Sequence, residues 1–283
     1  MNVKLFSVFH RKFPLLRGSC VMPINGGRSI CCEDTKDGQI DDLEWLEKNT
    51  ISDATGDNIS SRNREWCETT ALYWIWKHLK EFGDLSHVGF IQYRRFFVLN
   101  DAWNSSTAEK DDVYIHILQK PNDIETGRAQ KLVDFTDDGI LRALSRYDVI
   151  LPQPINLKDR GFFNLWEDYV YGINGVHISD LCIFNKVIKE KFPKFARPMD
   201  IYLGQPLMRA FQMFILPTSI FASYCEDLFA VLEAISPRID VSLYNANGKR
   251  TMGYLAERFY GMWMNNFIPK DLSILECPTV FVK

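Results

Sequence analysis

Two adjacent arginines, Arg94 and Arg95, are the residues of this sequence best suited to hold an anion, and they follow a short apolar run at 88–92. Tyr93 and Phe96-Phe97 surround them with apolar bulk. Charged groups in such surroundings need a partner, and guanidinium groups match phosphate oxygens as a bidentate fork. The pattern favours a diphosphate partner, with a solvated surface pair as the alternative.

Other polar groups follow predicted strands or precede predicted helices. His10 comes directly after the apolar run 3–9, and Asn25 leads into Gly26-Gly27, where glycine permits a close approach of backbone to a ligand. Asp57 and Asn58 precede a long predicted helix and could contact a ribose or a base edge. An ordinary turn and ordinary helix capping are the alternatives for these two sets.

Carboxylates that could act as a general base occur in the second half of the chain. Asp180 lies in His177-Ile178-Ser179-Asp180, and Glu257 precedes Arg258 within an apolar helical pattern. An internal structural ion pair is the alternative for Glu257-Arg258. The neighbouring pair Glu167-Asp168 is interpreted as a solvated acidic turn.

The elements that must position these groups alternate between strands and helices. Continuous apolar runs predict buried strands at 3–9, 88–92, 147–151 and 211–216, with a weaker candidate at Val113–Ile117. Helical patterns run over about 63–82, with Asn63 as a possible cap, and over about 219–235 and 252–265. The polar segments 100–112 and 236–251 are predicted loops. This alternation predicts an α/β layered domain with a mostly parallel central sheet flanked by helices. Ligands of such sheets bind beyond the carboxyl ends of the strands.

Composition narrows the function classes. The chain has 283 residues, of which 46% are hydrophobic, enough for one large domain over 1–283, and its formal net charge is −3. This charge gives no general attraction to nucleic acid or anionic membrane. Seven cysteines without a CxxC spacing fit a reducing compartment, and no apolar run is long enough to span a bilayer. The absence of GxGxxG and GxxxxGK[ST] disfavours dinucleotide oxidoreductases and P-loop enzymes.

Short motifs spread from residue 8 to about residue 265 match one known pattern. They are His10-Arg11, Pro23-Ile24-Asn25-Gly26, Gly56-Asp57-Asn58-Ile59-Ser60 with Asn63, Cys67-Glu68, Thr70, Tyr73-Trp74-Ile75-Trp76-Lys77, Gln92-Tyr93-Arg94-Arg95-Phe96-Phe97, Gln212-Met213-Phe214-Ile215 and Gly253-Tyr254-Leu255-Ala256-Glu257-Arg258. On these residues the chain resembles the glycosyltransferases of bacterial capsular and exopolysaccharide loci, a family long described only as a domain of unknown function. Gln92 stands where that family usually has histidine, and Gln212 where it usually has asparagine. An amide cannot take up a proton near neutral pH, so Gln92 is given no proton-transfer role.

The resemblance implies a GT-A-like fold with a donor-binding half at about 1–150 and an acceptor-side half at about 151–283. It implies a nucleotide-sugar donor, typically a UDP-sugar such as UDP-galactofuranose, and a glycan or lipid-linked glycan acceptor. The protein is then expected in the cytoplasm, with peripheral attachment at the inner face of the membrane as the alternative. The expected donor-binding residues are His10, Asn25, Asp57, Asn58, Tyr93, Arg94, Arg95 and Arg258. His177 and Gln212 are expected at the acceptor, with Asp180 as first-choice base and Glu257 as second.

The expected chemistry leaves alternatives open. Arg94 and Arg95 take the place that an Asp-x-Asp metal site has in GT-A enzymes, so no metal ligand is assigned. Asp111-Asp112 keeps a divalent metal, Mn or Mg, as the alternative. A non-catalytic nucleotide-sugar or carbohydrate-binding module and a nucleotide-sugar phosphohydrolase are the rival functions.

Overall fold

The architecture comes from a computed structural model that describes residues 1–31, 40–100, 109–110, 115–116, 122–125 and 127–282. Its strands are β1 Val3–Phe9, β2 Val21–Asn25, β3 Ile51–Ser52, β4 His87–Gln92, β5 Arg95–Phe97, β6 Glu109–Lys110, β7 Ile115–His116, β8 Val149–Pro152, β9 Ile155–Asn156, β10 Leu207–Met208, β11 Phe214–Pro217, β12 Ile274–Cys277 and β13 Thr279–Phe281. Its α-helices are α1 Ile40–Asn49, α2 Asn63–Trp66, α3 Thr69–Lys77, α4 Asn122–Glu125, α5 Arg128–Leu132, α6 Asp137–Leu144, α7 Leu165–Glu167, α8 Ile178–Lys191, α9 Pro193–Leu203, α10 Thr218–Ile235 and α11 Thr251–Asn266. A π-helical turn, Asp168–Gly172, continues α7.

The central sheet is built around parallel strands. β3, β2, β1 and β4 lie side by side in parallel, with Phe6 of β1 beside Phe90 of β4. β11 then runs antiparallel between β4 and β8, and β12 is parallel to β8. The predicted α/β fold with a mostly parallel sheet between helices is confirmed, and β1 and β4 span the predicted residues to within one position.

Helices cover both faces of this sheet because alternate strand residues are apolar on each side. Phe214 of β11 contacts the rings of Phe221 and Tyr224 in α10 and of Tyr260 in α11. On the opposite face, Phe9 of β1 meets Trp45 of α1. The predicted helices at 219–235 and 252–265 correspond to α10 and α11. No helix within the described ranges is both long and apolar enough to cross a membrane.

The prediction of one continuous helix over 63–82 is wrong, because the helix is interrupted at Cys67. That residue has φ 50° and ψ −139°, so α2 ends there and α3 begins at Thr69. Asn63 is not the predicted cap: its side chain donates to the Cys67 carbonyl at 2.7 Å and to Thr70 Oγ1 at 2.9 Å. These bonds hold the break in place.

The strand predicted over 211–216 begins later, at Phe214, because Phe211 and Gln212 have φ 76° and 48°. Left-handed conformations interrupt a strand and are costly for residues other than glycine. The strand predicted over 147–151 occupies Val149–Pro152. Of the weak candidate at 113–117, the described part is β7, and most of the predicted 100–112 loop lies outside the described residues. The six cysteines within the described ranges are free thiols.

Candidate active site

The carboxyl ends of β1 and β4 meet at Tyr93, which is 3% exposed. The backbone N–H of Tyr93 donates to the Val8 carbonyl at 3.1 Å, and its hydroxyl accepts from Arg11 Nε at 3.0 Å. The rings of His10 and Tyr93 meet edge to face at 5.2 Å. Tyr93 is therefore an anchor that fixes the residues following β1 beside those following β4.

Arg94 and Arg95 are oriented by aromatic rings. The Arg94 guanidinium carbon lies 4.5 Å from the Phe281 ring centroid, and that of Arg95 lies 5.2 Å from Phe281 and 5.3 Å from Phe211. The electron-rich face of an aromatic ring attracts a guanidinium group and holds it in a defined plane. Phe281 is available because β13 pairs with β5, which places it opposite Arg95.

The pKa of His10 reflects the positive charge near the carboxyl ends of β1 and β4. Its side chain is exposed to solvent in the described structure. Desolvation, followed by the charges of Arg11, Arg94, Arg250 and Arg95, lowers the pKa of His10 to about 4. The imidazole is therefore neutral at neutral pH. We call the set His10, Arg11, Arg94, Arg95 and Arg250 the cationic cleft.

Arg250 is a member of this cleft that the sequence reasoning missed. It ends the 3-10 turn Gly248–Arg250 directly before α11, within a segment expected to be only a loop. Its Nε donates to Cys67 Sγ at 3.2 Å, so the break between α2 and α3 fixes its position. A basic pair, Lys249-Arg250, immediately before a helix was the available signal.

The Gly26-Gly27 turn is held by a carboxylate that the sequence reasoning also missed. Asp53 is fully buried and accepts from Gly27 N at 2.7 Å, Arg28 N at 2.9 Å, Ser60 Oγ at 2.5 Å and Thr70 Oγ1 at 2.8 Å. Gly27 has φ 74°, and a Cβ there would lie 2.5 Å from Asn63 Cγ, so only glycine fits. Contacts within the protein thus fix the conformation of this turn without a ligand.

Three predicted donor-binding residues are engaged in local structure. Asn25 is 1% exposed, and its amide donates to the Phe9 carbonyl at 3.2 Å. Asp57 is exposed and accepts from the Tyr73 hydroxyl at 3.0 Å, whereas Asn58 accepts from Ser60 N at 3.2 Å. Among the described residues, none of these three side chains forms a hydrogen bond with a residue of the cationic cleft.

A buried ion network borders the cleft. Arg258 is 1% exposed, donating to Glu257 Oε2 at 3.2 Å and to Asp168. Asp168 also accepts from Arg160 at 3.2 Å and is 3% exposed, so the expected solvated acidic turn is wrong for this residue. Arg258 is an interior counter-ion here, which differs from its predicted role as a donor contact.

Glu257 links this network to the turn at Phe211. Its Oε1 accepts from Phe211 N at 2.7 Å, and its side chain keeps 22% of its surface exposed. Desolvation raises the pKa of Glu257 above its ordinary value, against the opposing effect of Arg258. The Phe211 ring also packs against the Arg95 guanidinium, so Phe211 contacts both this carboxylate, through its backbone N–H, and the cationic cleft.

The remaining predicted residues are Gln212, Asp180 and His177. Gln212 is fully buried, and neither side-chain amide atom has a hydrogen-bond partner among the described residues. Asp180 is 1% exposed and accepts from the Tyr244 hydroxyl at 2.8 Å and from Thr251 Oγ1 at 3.1 Å. His177 is exposed and stacks on Tyr244 with ring centroids 4.4 Å apart.

The structure therefore gathers His10, Tyr93, Arg94 and Arg95 and adds Arg250, with Glu257 alongside. Within the described ranges, no group of three or more His, Cys, Asp or Glu side chains has the arrangement of a metal site. Asp111-Asp112, the alternative metal ligands, lie outside the described residues.

The comparisons with known proteins agree with this layered α/β architecture. A family model described as a domain of unknown function, DUF4422, matches residues 4–268, and the chain belongs to this family. The chain is similar to the solved apo structure of WbbM, a bifunctional glycosyltransferase, with a TM-score of 0.81 and 24% sequence identity. The match covers 100% of this chain and 46% of the WbbM chain, so the protein spans about half the length of that relative. No curated protein matches the sequence.

Proposed function

We propose that the protein is a glycosyltransferase that moves a sugar from a nucleotide diphosphate donor, a UDP-sugar, to a hydroxyl of a glycan acceptor. The cationic cleft at the carboxyl ends of β1 and β4 carries the proposal, because ligands of α/β sheets bind at that edge. The fold likeness to a protein described as a glycosyltransferase supports the same reaction class. UDP-galactofuranose is the first specific donor to test, on the family resemblance.

The arginines would hold the diphosphate and stabilise it as it leaves. When the bond between the anomeric carbon and the phosphate oxygen breaks, negative charge develops on the departing nucleotide. Positioned cations that meet this charge in a desolvated site lower the barrier by several kcal/mol, about 3 to 4 for a single good donor. Arg11, Arg94, Arg95 and Arg250 come from three separate segments, and the charge of each lowers the pKa of the same histidine, which suits a ligand with several phosphate oxygens.

Glu257 is the carboxylate best placed to accept the proton of the acceptor hydroxyl. The acceptor oxygen replaces the phosphate oxygen at the anomeric carbon, and its proton passes to the carboxylate. Glu257 is partly exposed beside the cleft and has a raised pKa, as a general base requires. Asp180 stays a prediction for the same role, although Tyr244 and Thr251 occupy its two oxygens.

The acceptor would approach over the loops that carry His177 and Tyr244. Exposed apolar side chains lie on these loops and on the neighbouring helix ends: Phe163, Tyr171, Ile178 and Leu243, at 71%, 78%, 56% and 96% exposure. Exposed aromatic faces suit stacking on sugar rings, and an apolar rim suits a lipid-linked acceptor at the cytoplasmic face of a membrane.

Donor binding should depend on pH through His10. A diphosphate in the cleft adds negative charge beside the imidazole, which raises its pKa from about 4 toward the ordinary value. Binding therefore takes up a proton as pH falls toward 4, and affinity increases in that direction. Calorimetry with UDP-glucose in buffers of different ionisation enthalpy measures this uptake. UDP-glucose has no terminal phosphate that ionises at pH ~6, so the ligand does not contribute to the uptake measured. His10→Asn should abolish the uptake, and an unchanged uptake in that variant would assign it elsewhere.

The reaction itself is tested by incubating the protein with a panel of UDP-sugars, including UDP-galactofuranose, and a glycan acceptor, with and without EDTA. Release of UDP together with a glycosylated acceptor is the expected result, and transfer in EDTA is expected because arginines supply the counter-charge. Loss of transfer in EDTA that manganese restores would replace this account with the Asp111-Asp112 alternative. Donor binding without release would identify a binding module, and free sugar phosphate would identify a phosphohydrolase.

A further inference from the structure

Asp168 occupies an unusual position for an acidic residue. It begins the π-helical turn Asp168–Gly172 and is only 3% exposed. Such turns interrupt an α-helix and often occur at functional sites. A buried carboxylate is costly unless it is paired, and Asp168 accepts hydrogen bonds from both Arg258 and Arg160.

Arg258 connects Asp168 to Glu257. One terminal nitrogen of its guanidinium donates to Asp168 and the other to Glu257 Oε2, at 3.2 Å. The Tyr169 ring centroid lies 5.4 Å from its guanidinium carbon. Because the guanidinium is planar and rigid, the position of Asp168 fixes the side from which Arg258 approaches Glu257.

Glu257 is held at its other oxygen by a strained turn. Oε1 accepts from Phe211 N at 2.7 Å, and Phe211 and Gln212 both have positive φ. Such conformations are costly for residues other than glycine and persist only where neighbouring structure imposes them. The Glu257 carboxylate is thus fixed by the ion network on one side and by the turn on the other.

We infer that Asp168 is a positioning residue for the transfer reaction, acting through Arg258 to orient the Glu257 carboxylate toward the acceptor hydroxyl. The inference rests on the proposed function. It extends to Asp168 the general arrangement in which a catalytic base is oriented by a third group. A buried ion network that only stabilises the fold is the competing interpretation, and only the positioning role predicts that the losses of kcat in Asp168→Asn and Glu257→Gln do not add.

Removal of the Asp168 charge should lower the pKa of Glu257. The charged groups facing Glu257 are Arg258, Glu68 and Asp168, of which the two carboxylates raise its pKa and Arg258 lowers it. Asp168→Asn removes one raising charge and leaves the Arg258 guanidinium freer to pair with Glu257. Both changes favour the ionised form, so the acidic limb of the kcat/KM profile should move to lower pH.

The experiment compares Asp168→Asn, Glu257→Gln and the double variant, with Asp200→Asn as the control. Asp200 pairs with Lys189 on the surface and has no bond to the network among those described, so its change removes the same charge outside the network. We expect kcat for Asp168→Asn to fall about 10- to 100-fold with KM for the UDP-sugar unchanged, as for a misplaced catalytic group. The double variant should be no slower than Glu257→Gln alone, because Asp168 acts only through Glu257.

A second measurement separates this inference from the proposed function. The carboxyl carbon of Glu257 can be titrated by NMR with ¹³C-labelled glutamate, the signal being assigned by its loss in Glu257→Gln. A lower pKa of Glu257 in Asp168→Asn is expected even if no transfer activity is found. An unchanged pKa, or additive losses of kcat in the double variant, would overturn the positioning role.

If Asp168→Asn does not fold, Arg258→Lys decides the question. A lysine keeps the positive charge but loses the planar fork that contacts both carboxylates. We expect a folded protein with reduced kcat and unchanged KM. Wild-type kcat in this variant would contradict the inference.

Discussion

Joint replacement of Arg94 and Arg95 by alanine should reduce sugar transfer at least about 1,000-fold, since removal of a single well-placed donor costs about 100- to 1,000-fold. Phe281 and Phe211 hold these guanidinium groups at the sheet edge, where the proposed diphosphate binds. The loss should appear in kcat as well as in KM, because the departing diphosphate carries more charge in the transition state than in the bound donor. Steady-state kinetics with a UDP-sugar measure both.

The matched control is Arg142→Ala. Arg142 lies in α6 and pairs with Asp134 at the surface, with 57% of its side chain exposed, so its loss removes one positive charge, as each of the two replacements in the cleft does. Kinetics close to wild type are expected, since exposed ion pairs contribute little. Arg94→Lys and Arg95→Lys should be intermediate, because a lysine keeps the charge without the fork. Equal activity in the double alanine variant and the control would remove the arginines from the mechanism.

Replacement of Glu257 by glutamine should lower kcat about 100- to 10,000-fold while leaving the affinity for the UDP-sugar nearly unchanged. Glutamine keeps an oxygen that can accept from Phe211 N, so the turn at 211–212 should survive. The raised pKa of Glu257 means that burial disfavours its charged form in the folded protein. This destabilisation is present above the unfolded-state pKa and disappears as pH falls, so the neutral glutamine should not lower stability at neutral pH.

Asp180→Asn is the comparison that assigns the base. Asp180 accepts two hydrogen bonds from hydroxyl groups and is almost fully buried. Its substitution should therefore lower the melting temperature clearly and change kcat little. A large loss of kcat in Asp180→Asn, with normal turnover in Glu257→Gln, would transfer the role of base to Asp180. Thermal unfolding of both variants provides the stability measurement.

Strand and helix positions could be predicted well where the signal is local. β1, β4, α10 and α11 follow directly from apolar runs and helical spacing, because burial of those side chains sets the element and its face. The position of Tyr93-Arg94-Arg95 at a sheet edge followed from the same reasoning. The break at Cys67 and the turn at Phe211-Gln212 could not be predicted, since helical and strand patterns continue through both positions.

The sequence by itself determined the layered α/β fold and the placement of a cationic segment after a central strand, because both depend on residues close together in the chain. Only the tertiary structure decided which distant groups complete the site. Arg250 bonds to Cys67 and adds its charge to that acting on His10, Asp53 holds the Gly26-Gly27 turn, and Asp168 pairs with Arg258 across 90 positions. These contacts depend on how the helices dock on the sheet and on the burial that forces each charge to find a partner. The arginine pair is thus one part of a cationic site whose other groups come from distant segments of the chain.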